Sequence, residues 1–216
     1  MRVIGPEDID TAVRAIEDGG LVVVPTRRWY MICADASNAR ACDSIITGKR
    51  RPSGKPLAYV APSMASCEDH FVLSPEARRL AAAFWPGDLA LLLPWNDAEE
   101  AARHAAVGSP ALVTIAPGFL GDLASAVKVP LAATTANVSG DAGPNDPGPA
   151  ITVHQVHAFL TASGLDADVL VDGGVCPAAN HMTIVDCFTP EARLVRTGLV
   201  HQRALSAALG TEIRTA

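Results

Sequence analysis

Lys49, Arg50, Arg51 and Lys55 place four cations within seven positions of a chain whose charged fraction is 19%. Gly48, Pro52, Gly54 and Pro56 interrupt the stretch, so it reads as a loop. A helical run at 39–47 enters it and a strand-like run at 57–60 leaves it. Cations gathered between packed elements suit an anion, phosphate above all, through charge-assisted hydrogen bonds. A solvated basic surface cluster carries the same signature. A second polar stretch, Thr134, Thr135, Asn137, Ser139 and Gly140, follows an apolar strand expected at 129–133. Its hydroxyls and amide can bind phosphate or the water shell of a metal. The same composition also makes capping and Asx turns.

Other chemistry is weaker. The chain has neither a Walker P-loop nor a GxGxxG, so a bound nucleotide has to use these two stretches. His154 and His157 lie one helical turn apart without an evident carboxylate partner, so a solvated face and no metal site is expected. The cysteines at 33, 42, 67, 176 and 187 are odd in number and form no CxxC. Neither a disulfide framework nor a thiolate zinc site is indicated.

The elements that must position these groups follow from composition and pattern. Hydrophobic residues make up 49% of the 216, enough for a sizeable core. A net charge of −6 excludes a wholly basic nucleic-acid surface and leaves a local basic cavity open. The N-terminus lacks an apolar signal core, and no apolar run approaches the ~20 residues of a membrane span, so a cytoplasmic location is expected. Helices are expected at 6–18, 63–70, 75–84, 118–126, 152–162 and 200–209. Strands are expected at 21–24, 89–93, 111–115, 169–171, 183–185 and 193–195. Residues 25–30 read as a loop or strand end, 96–106 as polar surface and 141–149 as a polar loop. The pattern predicts one α/β domain over 1–216 with a mixed twisted sheet.

In chain order these residues resemble the YrdC/Sua5 family, the threonylcarbamoyl-AMP synthases. Pro25-Thr26 with Tyr30 and Ala34-Asp35-Ala36 is similar to the family's PTxTxYGL opening. Lys49, Arg51 and Lys55-Pro56-Leu57 match its KxR loop, and Phe84-Trp85-Pro86-Gly87 with Leu89 its FWPGxLT segment. Pro130-Leu131 and Thr135-Ala136-Asn137-Val138-Ser139-Gly140 resemble its SANxSG loop. Asp172-Gly173-Gly174, Thr183-Ile184-Val185-Asp186 and Arg196 with Gly198 resemble its C-terminal motifs.

The resemblance implies a single-domain YrdC-like α/β fold, a twisted mixed sheet with flanking helices around a basic cavity. It implies condensation of L-threonine, bicarbonate and ATP into threonylcarbamoyl-AMP with release of pyrophosphate, for the modification of tRNA adenosine. On that reading Lys49 and Arg51 hold the phosphates as catalytic residues. Thr135, Asn137 and Ser139 bind phosphate or its Mg2+, Lys55 is a further phosphate ligand, and Arg196 supports the nucleotide. Thr26, Arg28, Tyr30 and Thr183 meet the amino acid or other amine, and tRNA or tRNA-modification proteins are partners. The departures are Arg27, Arg28, Met31, Ile32, Thr114 and Met182, mostly on the amine side. They predict an amine pocket remodelled around Arg28; the alternative is that Arg27 and Arg28 face solvent under Trp29. Two other functions stay open: a relative using a different amine or carbamoyl substrate in specialised metabolism, and a non-catalytic RNA- or nucleotide-binding module.

Overall fold

The computed structural model describes residues 1–52, 55–139 and 148–216. Ser53 and Gly54 of the cationic stretch, Gly140, and most of the polar loop expected at 141–149 therefore lie outside the described residues. In chain order the elements are β1 (Arg2–Ile4), α1 (Ile9–Glu17), β2 (Val22–Val24), β3 (Met31–Asp35), α2 (Ala39–Gly48), β4 (Ala58–Val60), α3 (Met64–His70), α4 (Pro75–Phe84), β5 (Leu89–Leu93) and α5 (Ala98–Arg103). They continue with β6 (Ala111–Thr114), α6 (Phe119–Ala126), β7 (Leu131–Thr135), α7 (Val153–Ser163), β8 (Val169–Val171), β9 (Thr183–Asp186), β10 (Arg193–Arg196), α8 (Gln202–Leu209) and β11 (Arg214–Thr215).

Helix starts follow local chemistry. Asp8, Asn38, Ser63, Ser74, Asp97 and Thr152 each accept from the backbone N–H three residues on, satisfying a donor that the first turn leaves free. The strands form one mixed sheet in the order β1-β8-β2-β3-β7-β4-β6-β5-β9-β10-β11. Its centre alternates in direction: β3 runs antiparallel to both β2 and β7, and β4 runs antiparallel to β7 and parallel to β6.

Both faces of the sheet are buried. Tyr30, Ile32, Ala34, Tyr59, Leu91 and Val113 pack into one core with residues of α2, α4, α7 and α8. Met31, Cys33, Val60, Leu131 and Ala133 pack into the other with residues of α1 and α6. The five cysteines are divided between these cores and all are buried. Burial raises the pKa of each thiol above its ordinary value.

Two sequence expectations need correction. The central strand β3 follows the residues read as a loop or strand end through Tyr30, in a stretch where no element was expected, because a strand buried on both faces carries no polar alternation. The strand expected at 129–133 instead spans Leu131–Thr135, since Thr134 and Thr135 pair with Ile32 and Met31. Thr135 is thus a strand residue, and the polar turn begins after it.

Gly198, just past β10, sits against the segment leading into β9. A Cβ there would lie 2.3 Å from the His181 carbonyl oxygen, 2.5 Å from the Met182 carbonyl carbon and 2.6 Å from the Thr183 nitrogen. All three are backbone atoms and cannot step aside cheaply. Gly198→Ala should therefore destabilise the fold by about 1–3 kcal/mol, read as a lower denaturation midpoint.

Candidate active site

The cationic loop leaves α2 and meets the end of β7. Lys49 is fully buried. Its ammonium donates to the main-chain oxygens of Thr135 and Asn137, the latter at 2.5 Å, and to Asn137 Oδ1 at 3.3 Å. Its own carbonyl accepts from Ser139 N–H at 2.6 Å, and its Nζ lies 5.5 Å from the centre of the Phe159 ring. All three ammonium protons are therefore used inside the protein. Lys49, expected on phosphate, instead staples the turn that follows β7.

That turn is also closed on itself. Thr135 Oγ1 donates to Asn137 Oδ1 at 2.6 Å, Asn137 N–H donates to the Thr135 carbonyl at 3.0 Å, and Asn137 Nδ2 donates to the Val138 carbonyl at 3.1 Å. Asn137 Oδ1 thus receives two donors already.

Arg51 is half-buried and bridges the loop to the strand. Its Nε donates to the Lys55 carbonyl at 2.8 Å, one terminal nitrogen to the Pro56 carbonyl at 2.7 Å and the other to Thr134 Oγ1 at 3.2 Å. A guanidinium carries five N–H donors, so two remain without a partner among the described residues. Arg196, at the end of β10, uses Nε alone among the described residues, on the Met182 carbonyl at 3.1 Å. Lys55 is exposed and its ammonium has no partner among the described residues.

These cations form a row in which each feels the next. The Lys49 pKa falls to about 7, through burial first and then through Arg51. Burial and Arg196 lower Arg51, and burial and Arg28 lower Arg196. Burial lowers Arg28 too; Asp88 opposes that and Arg27 adds to it. Among the described residues Asp88 is the carboxylate that pairs with this row. It takes the Arg28 guanidinium on Oδ1 and Arg27 on Oδ2 at 3.1 Å. Among the described residues the remaining positive charge is uncompensated, which suits a polyanion.

Arg28 is only 8% exposed while Arg27 is exposed, so the two arginines divide between the remodelled-pocket expectation and its solvent-facing alternative. Arg28 Nε is buried without a hydrogen-bond partner, at a cost of about 1–3 kcal/mol for an unmet buried donor. The residue lines a cavity of ≈ 30 Å³ together with Thr26, Met31, Asp88, Thr114 and Met182. Five of the six departures from the family pattern thus line one cavity; the exception, Ile32, lies in the core on the other face.

The remaining expected substrate residues spend their hydroxyls on the main chain. Thr26 Oγ1 donates to the Trp29 carbonyl at 2.7 Å. Tyr30 OH donates to the Gly174 carbonyl at 2.8 Å and accepts from Gly173 N–H at 3.2 Å. Thr183 Oγ1 donates to the Val200 carbonyl at 2.8 Å. Asp88 is the functional residue that sequence reading missed; its signal was an acid placed directly after Trp85-Pro86-Gly87, within reach of a cationic pair.

Among the described residues the donor set does not fit a magnesium ion held by the protein. Magnesium is usually bound through one or two carboxylates, and only cations perturb Lys49, Arg51 and Arg196 by their charge. His154 and His157 are exposed on α7, and no group of three His, Cys, Asp or Glu able to hold a metal occurs among the described residues. None of the described helices is long and apolar enough to cross a membrane.

Comparison with known proteins settles the ancestry of this arrangement. The Sua5/YciO/YrdC family model, described as "Telomere recombination", matches residues 14–198. The chain belongs to this family. A Bacillus subtilis protein named threonylcarbamoyl-AMP synthase is 29% identical over 206 residues, covering 94% of this chain and 56% of the relative. A Pyrococcus abyssi protein of the same name is 29% identical over 210 residues, covering 95% of this chain and 58% of the relative. The chain therefore spans little more than half the length of these relatives. The crystal structure of P. abyssi Sua5 complexed with L-threonine superposes with a TM-score of 0.83 at 25% identity, covering 100% of this chain and 63% of that one.

Burial of Lys49 has a consequence for stability. The unfolded chain keeps this proton up to its ordinary value of 10.5, whereas the folded chain releases it near 7. Between those values the unfolded state binds more protons, so this group makes the fold more stable as pH rises. Urea midpoints followed from about pH 6 to about pH 9 should show this rise, and Lys49→Met should lack it.

Proposed function

We propose that the protein is an adenylate-forming enzyme of the threonylcarbamoyl-AMP synthase type. The observation that carries this reading is the row from Lys49 through Arg51 and Arg196 to Arg28, whose positive charge exceeds what the described residues pair, beside a small cavity. The names of the relatives and the L-threonine bound to P. abyssi Sua5 support the same reading.

In this reaction the amine nitrogen attacks the carbon of CO2 derived from bicarbonate, losing a proton and giving a carbamate. A carbamate oxygen attacks the α-phosphorus of ATP. The bond from that phosphorus to the oxygen bridging to the β-phosphate breaks, and pyrophosphate leaves with the electron pair. ATP, bicarbonate and amine thus give the carbamoyl adenylate, pyrophosphate and water. Charge neutralisation and positioning dominate such a step. Arg51 and Arg196 have the free N–H donors for phosphate oxygens, with Lys55 at the loop rim. Lys49 acts as a positioning residue, holding the Thr135–Asn137 turn against the phosphates. Any Mg2+ enters as part of the ATP substrate. The product is an activated carbamoyl donor, for which tRNA adenosine is the acceptor that the resemblance implies. A different amine is a second reading, favoured by the clustering of the departures in one cavity.

Arg51→Ala removes charge-assisted contacts and should weaken ATP binding by roughly 1.5–3 kcal/mol, measured by calorimetry. Unchanged affinity would sink the phosphate assignment. ATP binding without pyrophosphate release for any amine would leave a nucleotide-binding module instead.

A further inference from the structure

The hydroxyls at the small cavity are spent within the protein. Thr26 Oγ1 is closed onto the Trp29 carbonyl and also accepts from Arg28 N–H at 3.2 Å. Thr114 Oγ1 donates to the Leu89 carbonyl at 2.9 Å. Thr183, beside Met182, donates to the Val200 carbonyl and accepts its N–H at 3.0 Å. None of the three has a proton left for a substrate hydroxyl.

What the cavity offers is a guanidinium. Arg28 is nine-tenths buried, is held at one terminal nitrogen by Asp88, and keeps its buried Nε–H unmet. One carboxylate, Asp88, serves both Arg27 and Arg28, so a second anion fits the local charge. The rest of the wall is mostly apolar, with Met31, Val60, Leu120 and Met182 lining the cavity of ≈ 30 Å³.

We propose that Arg28 determines substrate specificity by receiving the carboxylate of an α-amino acid smaller than threonine, glycine or L-alanine in class. The proposal rests on the adenylate-forming reading above. Arg28 neighbours Arg196 in the cationic row, so a carboxylate anchored there keeps the adjacent amino group beside the phosphate end. Met31 and Met182, both departures from the family pattern, line the apolar wall and take up space there. A site that hydrogen-bonds a substrate hydroxyl rejects analogues lacking it by about 10⁴-fold or more; here the wall hydroxyls have no proton to give, which weakens any such preference for threonine.

The test is ATP- and bicarbonate-dependent pyrophosphate release with glycine, L-alanine and L-threonine, for wild type, Arg28→Lys and Met31→Ala. Arg28→Lys keeps the charge facing Asp88 and loses the forked donors; Met31→Ala enlarges the cavity without touching the charges. Wild type should prefer glycine or L-alanine over L-threonine by about ten-fold or more in kcat/KM, on the scale of one or two methylenes in a pocket. Arg28→Lys should raise the amino-acid KM by a similar factor with the KM for ATP unmoved, and Met31→Ala should shift preference toward L-threonine. A wild-type preference for L-threonine, or an amino-acid KM indifferent to Arg28→Lys, would overturn the proposal while the adenylate-forming reading survives. If no amine releases pyrophosphate, calorimetry with glycine decides. Binding to wild type that Arg28→Lys abolishes upholds the carboxylate site without the reaction; no binding to wild type overturns it.

Discussion

A single ammonium group, fully withdrawn from water, organises the cationic loop of this protein. Lys49 Nζ sits among three oxygens supplied by Thr135 and Asn137, and its backbone carbonyl takes the Ser139 N–H. Burying a lysine is costly unless its protons are satisfied. That cost is offset only while the turn after β7 keeps its shape, so the end of α2 and the end of β7 are locked to each other. Arg51 repeats the device on the opposite side of the loop, joining Lys55 and Pro56 to Thr134. With these two cations anchoring the loop, Arg51 and Arg196 keep N–H donors that have no partner among the described residues.

The two parts of the site are built differently. In the loop the cations are also structural: Lys49 and Arg51 tie it to the end of β7, so replacing either would undo the loop as well as any contact it makes. The cavity around Arg28 draws its walls from the 25–30 loop, β3, β4, residues 87–88, β6, α6 and the segment before β9. Asp88 pairs with both Arg27 and Arg28, keeping that charge electrically local.

Much of this was legible in the sequence, unevenly. Helices with side-chain caps were placed to within a few residues, because Asn38 or Ser74 before an apolar periodicity is a local signal. The strand β3 was not, since Met31-Ile32-Cys33-Ala34 is buried on both faces and shows no alternation. Basic residues could be gathered into one site by motif, but their roles could not. Whether a lysine meets a ligand or three carbonyl oxygens depends on contacts some 86 positions away in the chain, as with Lys49 and Thr135. The hydroxyls of Thr26, Tyr30 and Thr183 misled for the same reason: their partners are main-chain atoms that no side-chain pattern announces. The Arg28–Asp88 pair spans 60 positions and became visible only in the fold.

The distribution of the cysteines gives the molecule an internal set of clocks. Cys33 lies at the centre of the sheet, Cys42 in α2 behind the Lys49 loop, Cys67 in α3, and Cys176 and Cys187 flank the segment that carries Met182. With every thiol buried and its thiolate disfavoured, alkylation has to wait for local opening. The rate at which each sulfur is modified then reports how often its own neighbourhood breathes, so the mobility of the cationic loop, the sheet and the Arg28 cavity can be timed separately in the unmutated chain.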